Sequence, residues 1–264
     1  MTVYNIDSEK PSAEFARCWQ AAGGHLQTRV DKGLSWLRAT LTPPFLEHLS
    51  FRLGNQLFFV RLEDAAGVLE VPGSRAGLLM IAEGCRGHAC LMPMRRGGGV
   101  WSATMPGWGL VDAVGGKLID PGLLVTGTHI EMTDWELQDF AVQVVKDHLV
   151  GLGRELMSWQ GNPAVDPSIW FVGDDGPEWV VVRAARHPMR SAAPPANLDK
   201  IAAACASLSQ KGHFASVSAA NADDAFDPDA RADQVLPLWR GHGLLVSFHG
   251  LTPVAPRSLQ MQEG

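Results

Sequence analysis

Tyrosine is almost missing from this 264-residue chain, one against nine tryptophans and ten phenylalanines. Lysine is scarce too, with six lysines against sixteen arginines. Charged residues make up only 19% of the chain, which excludes a disordered polyelectrolyte or a coiled coil. Four cysteines (Cys18, Cys85, Cys90 and Cys205) are too few and too scattered for a disulfide scaffold. No run approaches the ~18 apolar residues that a membrane span needs. Met1–Ser8 has neither a basic n-region nor an apolar h-region, so no signal peptide is expected and the cytoplasm is the expected compartment. A net charge of −6 argues against general affinity for nucleic acid or acidic membranes. What is present is a hydrophobic fraction of 46%, enough for a real core in one large domain or in two of about 130 residues.

The first half reads as strands and tight turns. Phe15, Cys18, Trp19 and Ala22 recur at helical spacing behind Pro11, and Gly23-Gly24 is expected to stop that helix. Leu34–Leu41, closed by Pro43-Pro44, fits either period. Leu49, Phe51 and Leu53, then Gly54-Asn55, then Leu57–Val60 give a hairpin signal. Leu78–Ala82, His88–Met94, Leu110–Val114 and Lys117–Ile119 read as further strands. Arg95-Arg96-Gly97-Gly98-Gly99 reads as a mobile basic loop. Residues 25–130 are therefore expected to form a mostly antiparallel sheet of about five to seven strands.

Near residue 133 the period changes. Thr133 and Glu136 have capping-box spacing, and Leu137, Phe140, Ala141, Val144, Val145, Leu149, Leu152 and Leu156 trace one helical face to about Met157. Two strands follow, Ser168–Val172 and Trp179–Ala184, around the turn Asp174-Asp175-Gly176. A helix behind Asn197, closed by Gly212, precedes the strands His213–Ala219 and Leu244–Phe248. The expectation is an α+β chain: a β-rich domain with a short N-terminal helix over residues 1–130, and an αββαβ domain over 131–264.

Few constellations carry chemistry. Cys85, His88 and Cys90 offer thiolate and imidazole ligands, but no second pair completes a zinc site, and a hairpin turn with half-buried thiols is the expected reading. Asn221, Asp223, Asp224, Asp227, Asp229 and Asp233 miss the EF-hand positions and read as a solvated acidic loop. No nucleophile elbow, Walker loop or dinucleotide fingerprint occurs. Nine histidines are scattered without a legible general-base partner.

The order of helix, Asp-bearing strand (Val165-Asp166-Pro167), apolar strand (Glu178–Arg186), helix and strand resembles the core of the PD-(D/E)XK, restriction-endonuclease-like superfamily. The resemblance covers about residues 133–220. It implies Mg²⁺ held by an Asp opening one strand, a Glu-x-Lys on the next and often a Glu on the preceding helix, with phosphodiester cleavage as the activity. The matching candidates are Glu136 and Glu155 on the helix, Asp166, and Glu178. Spacing speaks against an assembled site. If the hairpin turns at Asp174–Gly176, Asp166 faces residue 184, and Glu178 lies about 20 Å further along the sheet at ~3.3 Å per residue. The family's Glu position then falls near Arg183 and its Lys position near Ala185. The expected function is a non-catalytic interaction or scaffold module with a protein partner or a second copy, without catalytic residues, metal or cofactor. The alternatives are a divergent Mg²⁺-dependent nuclease and a small-ligand binder in an inter-domain cleft.

Overall fold

A computed structural model describes residues 11–31, 34–41, 47–224, 226, 231, 233 and 235–254. The fold is α+β. Its contacts divide it into two units: one contains the described residues up to Thr133 together with Trp239–Gly241, the other Asp134–Leu238 and the described residues from His242 on. The boundary falls three residues beyond the expected one, and the excursion at 239–241 has no counterpart in the sequence reading.

The N-terminal unit runs α1 (Ala13–Gln27), β1 (Ser35–Arg38), β2 (Leu49–Leu53), β3 (Gln56–Asp64), α2 (Arg75–Gly84), β4 (His88–Gly97), β5 (Val100–Ala103), β6 (Leu110–Asp112), β7 (Leu118–Ile119) and α3 (Pro121–Leu124). Its seven strands form one sheet in the order β1-β2-β3-β4-β6-β7, with β5 also on β4. The β2–β3 hairpin turns at Gly54-Asn55 as the pattern predicts, with Gly54 at φ 57°.

Leu78–Ala82 is not a strand but the middle of α2: Ser74 caps the helix by accepting the Gly77 N–H at 3.0 Å, and Leu78 and Ala82 bury one face at i, i+4. A short apolar run satisfies either period, and the cap decides. With a helix as crossover, β3 and β4 become parallel, while the other pairs in this sheet are antiparallel. Gly23-Gly24 does not stop α1, because Phe15, Cys18, Trp19, Ala22 and Leu26 bury a continuous stripe that outweighs about 1 kcal/mol of propensity per glycine. The helix starts behind Ser12 as N-cap rather than at Pro11. Arg95-Arg96-Gly97 is strand rather than loop, paired with Ser102, Trp101 and Val100, and only Gly98-Gly99 turn, both at positive φ. Leu34–Leu41 resolves to β1, and Pro43-Pro44 lie outside the described residues.

The C-terminal unit runs α4 (Asp134–Gly151), β8 (Glu155–Trp159), β9 (Ile169–Gly173), β10 (Gly176–Arg186), α5 (Leu198–Cys205), β11 (Gly212–Asn221), β12 (Leu244–Phe248) and β13 (Thr252–Val254). Its sheet order is β12-β11-β10-β9-β8, with β13 also on β11. Only β10 and β11 are parallel, with α5 as their crossover. Alternation along β10 builds two cores: Val180 and Val182 pack with Ala141, Val142, Val145 and Leu149 of α4, while Trp179 and Val181 pack with Ile201 and Cys205 of α5.

The long helix expected to reach Met157 ends at Gly151. Arg154 N–H donates to the Leu149 carbonyl, Gly153 N–H to that of Val150, and Gly153 sits at φ 74°. This is a Schellman stop, and it releases Glu155–Trp159 to form a strand where the sequence pattern predicts the last turns of a helix. Gly212 opens β11 and does not close α5, which ends at Cys205. Its backbone pairs with Trp179, and a Cβ placed on it would lie 2.0 Å from the indole ring. Trp179 is fully buried and cannot yield, so Gly212→Ala is expected to cost about 2–3 kcal/mol by overpacking, read as a lower denaturant midpoint at unchanged slope.

Candidate functional site

β9 leaves β10 at the Ile169–Val180 pair, so the last residues of β10 lose their antiparallel neighbour. Side chains take over. Ser168 Oγ accepts the Val182 N–H at 3.2 Å. Gln138 of α4, buried at 5% exposure, donates to the Val182 carbonyl at 2.8 Å and accepts the Ala184 N–H at 3.2 Å. Neither residue is singled out by the sequence reading. The signal for Gln138 is its place on the apolar stripe shared with Ala141, Val142, Val145 and Leu149, where a polar side chain must find buried partners.

Above this frame Asp166 meets Arg183. The hairpin register pairs residues whose numbers sum to 349, as in Trp179 with Trp170, and beyond its last pair, Ile169 with Val180, the Asp166 side chain reaches Arg183 rather than residue 184. The guanidinium grips both carboxylate oxygens, Nη1 to Oδ1 at 2.9 Å and Nη2 to Oδ2 at 2.5 Å, with side chains only 21% and 12% exposed. A fork-on-fork pair of this kind takes one lone pair on each oxygen and sets a cation against the carboxylate that a metal would have to share. Three residues on, Arg186 pairs with Asp134 at 3.2 Å.

The other carboxylates stand apart. Glu178 faces Phe171 in the middle of β9, whereas Asp166 lies before that strand begins, and the Glu178 Oε2 lies 2.7 Å from His213 Nε2. Glu155 opens β8 opposite Val172 and is not on the helix, a correction that follows from the Gly153 stop. Glu136 lies in the first turn of α4. Among the described residues, no three His, Cys, Asp or Glu side chains are grouped so that they could hold a metal ion.

The remaining motifs are structural. Cys85 caps α2 and Cys90 lies in β4, so the pair flanks a helix-to-strand turn and not a hairpin, and both thiols are fully buried rather than half-buried. His88 stacks on Phe58 with ring centres 5.0 Å apart and lies 3.0 Å from Gln56 Oε1. Its pKa is lowered by burial and then by the Arg240 cation, against the Asp112 carboxylate. Burial pushes the Cys18 and Cys90 thiols up to about 12 and Cys205 to about 11. A disulfide reagent at pH 8 is therefore expected to find none of the four thiols in the native chain and all four in denaturant. In the acidic loop, Asn221 Oδ1 accepts the Asp223 N–H and Asp224 Oδ2 accepts the Leu236 N–H, while Asp233 pairs with Arg231. Asp227 and Asp229 lie outside the described residues.

Residues 135–254, spanning α4 to β13, match a family described as a domain of unknown function, DUF8840. No curated protein and no solved structure matches the chain. Among the described residues no helix is long and apolar enough to cross a membrane.

Proposed function

We propose that the chain is a non-catalytic protein-interaction module whose C-terminal unit has a nuclease-like order of elements without a nuclease site. The observation that supports this reading is the bidentate Asp166–Arg183 pair. The one carboxylate placed where the resemblance calls for a metal ligand is neutralised by a cation, and a bound Mg²⁺ would face that guanidinium. A Mg²⁺ site needs oxygen ligands gathered around the ion, and Glu178 and Glu155 stand elsewhere on the sheet.

The purified full chain is expected to leave single-stranded and duplex DNA and RNA intact in Mg²⁺ and Mn²⁺, and neither ion is expected to raise its melting temperature. Asp166→Ala is expected to lower stability by about 1 kcal/mol, a modest figure because Arg183 keeps part of its hydration. Metal-dependent cleavage that disappears in Asp166→Ala at unchanged melting temperature would sink the proposal in favour of a divergent nuclease.

A further inference from the structure

The β4–β5 hairpin ends in a bare, basic tip. Residues Arg95 to Val100 are all exposed, and Val100 is 68% exposed. Gly97 has no positive φ, and a Cβ placed there would meet nothing, so neither the turn nor packing demands a glycine at that position. On one face of the tip, Arg96 and Trp101 stand opposite each other and meet α1 at Glu14. The Glu14 carboxylate takes the Trp101 indole N–H at 2.6 Å, Arg96 Nε at 3.2 Å and Arg17 Nη2 at 3.2 Å. Two guanidiniums and an indole thus converge on one carboxylate and form a working carboxylate cradle. Arg17 and Arg96 remain 59% and 51% exposed, and each meets Glu14 through one nitrogen of a head group with five N–H donors. Arg95 projects from the opposite face, and no ion pair or hydrogen bond engages its side chain among the described residues. Two arginines therefore flank one acid and a third stands on the other face of the same tip, on a chain whose net charge is −6.

We infer that this tip is a docking surface for an acidic peptide segment of a partner protein, held by Arg17, Arg95 and Arg96. The inference rests on the protein-binding reading above and gives it a place. Charge complementarity selects the occupant, since arginine forks match carboxylates. An extended segment fits because β5 pairs only with β4, leaving its far edge without a strand among the described residues. A nucleic acid fits less well. Its affinity grows with the number of phosphates neutralised, and three arginines with one internal counter-charge neutralise few.

The test is fluorescence anisotropy of a labelled peptide of alternating glutamate and valine, titrated with the full chain at low salt. Saturable binding is expected, with none for the lysine–valine counterpart. Arg17→Gln/Arg96→Gln is expected to weaken it by about tenfold or more, and Arg95→Gln, which leaves the Glu14 contacts in place, by a smaller factor. Glu14→Gln is expected to tighten it, because the internal carboxylate no longer competes for the guanidiniums; a purely structural role for Glu14 predicts no gain. Melting curves of each variant establish folding, and if the double variant does not fold, Arg95→Gln and Glu14→Gln decide. The inference is overturned if the wild-type chain does not bind the glutamate peptide, if these variants bind like wild type, or if a single-stranded oligodeoxynucleotide of equal charge binds more tightly. A partner protein held equally by the wild-type and arginine-variant chains would overturn this surface while leaving the protein-binding reading intact. Metal-dependent cleavage would overturn that reading without touching the peptide measurement.

Discussion

Arg240→Ala is expected to destabilise the N-terminal unit by about 2–4 kcal/mol, although residue 240 stands more than 100 positions after that unit's last strand. The side chain is 5% exposed and its charge is held by backbone oxygens: Nη2 donates to the Cys85 carbonyl at 2.5 Å and Nη1 to that of Asn55 at 3.4 Å. The backbone is fixed as well, with Arg240 N–H on the Ile130 carbonyl at 2.8 Å, Trp239 bridged to Glu131, and the Trp239 ring 5.3 Å from His129. Truncation to alanine leaves two desolvated carbonyls and a cavity the length of the arginine stem. It also removes a buried cation, which offsets part of the loss and keeps the expected value below that of a core aromatic deletion. Arg240→Met, which keeps the stem, is expected to lie between wild type and alanine. A second readout separates this from general damage: with the Arg240 cation gone, the His88 pKa is expected to move up, which an NMR titration measures. Unchanged stability with an unmoved His88 would show that the 239–241 excursion adds nothing to the unit.

The extent to which the fold is legible in the sequence follows from where its signals are local. The β2–β3 hairpin is legible because Gly54-Asn55 is flanked by clear alternation, and α4 because its apolar face persists over five turns. The α2 helix is not, because Gly77–Ala82 offers too short an apolar run to separate a period of 2 from 3.6, and the deciding Ser74 cap carries little weight on its own. β8 is hidden because Leu152 and Leu156 continue the α4 stripe numerically, while the stop depends on one glycine, Gly153, adopting a left-handed conformation. Trp239–Gly241 is beyond local reading, since its partners at Asn55 and Cys85 are 185 and 155 residues away.

Much of the candidate site follows from register arithmetic. A hairpin turning near Asp175 brings residue 166 to the level of 183, so the Asp–Arg confrontation is legible within one residue. The frame beneath it is not. Ser168 and Gln138 are needed only because β9 departs from β10 before β10 ends, and no pattern in β10 announces where its neighbour stops. The Glu14 cradle escapes the sequence for a related reason: the tip reads as a loop until Arg96 and Trp101 are seen to be directly opposed across a ladder that closes 87 residues of chain onto Glu14.

Acidification is expected to unfold the N-terminal unit well before its surface carboxylates would. His48 is 7% exposed, its Nε2 lacks a hydrogen-bond partner among the described residues, and its ring packs edge-on against Phe59 at 5.7 Å. Burial, followed by the Arg38 cation, pulls its pKa from the ordinary 6.5 down to about 3. The folded chain therefore holds His48 neutral at pH values where the unfolded chain would protonate it. Between about pH 6.5 and pH 3 the unfolded state binds the extra proton, so stability is fully present above 6.5 and is lost as pH falls. At most ~1.4 kcal/mol is lost per pH unit, so this one group removes about 2–3 kcal/mol by pH 4.5. His88 and His25, whose pKa values are also lowered mainly by burial, add in the same direction. Urea midpoints measured from pH 7.5 to 4.5 check this against His48→Gln, whose side chain cannot acquire the proton. The variant is expected to start less stable and to lose less on acidification, so the two profiles converge toward pH 4.5. Parallel profiles would assign the acid sensitivity to other groups.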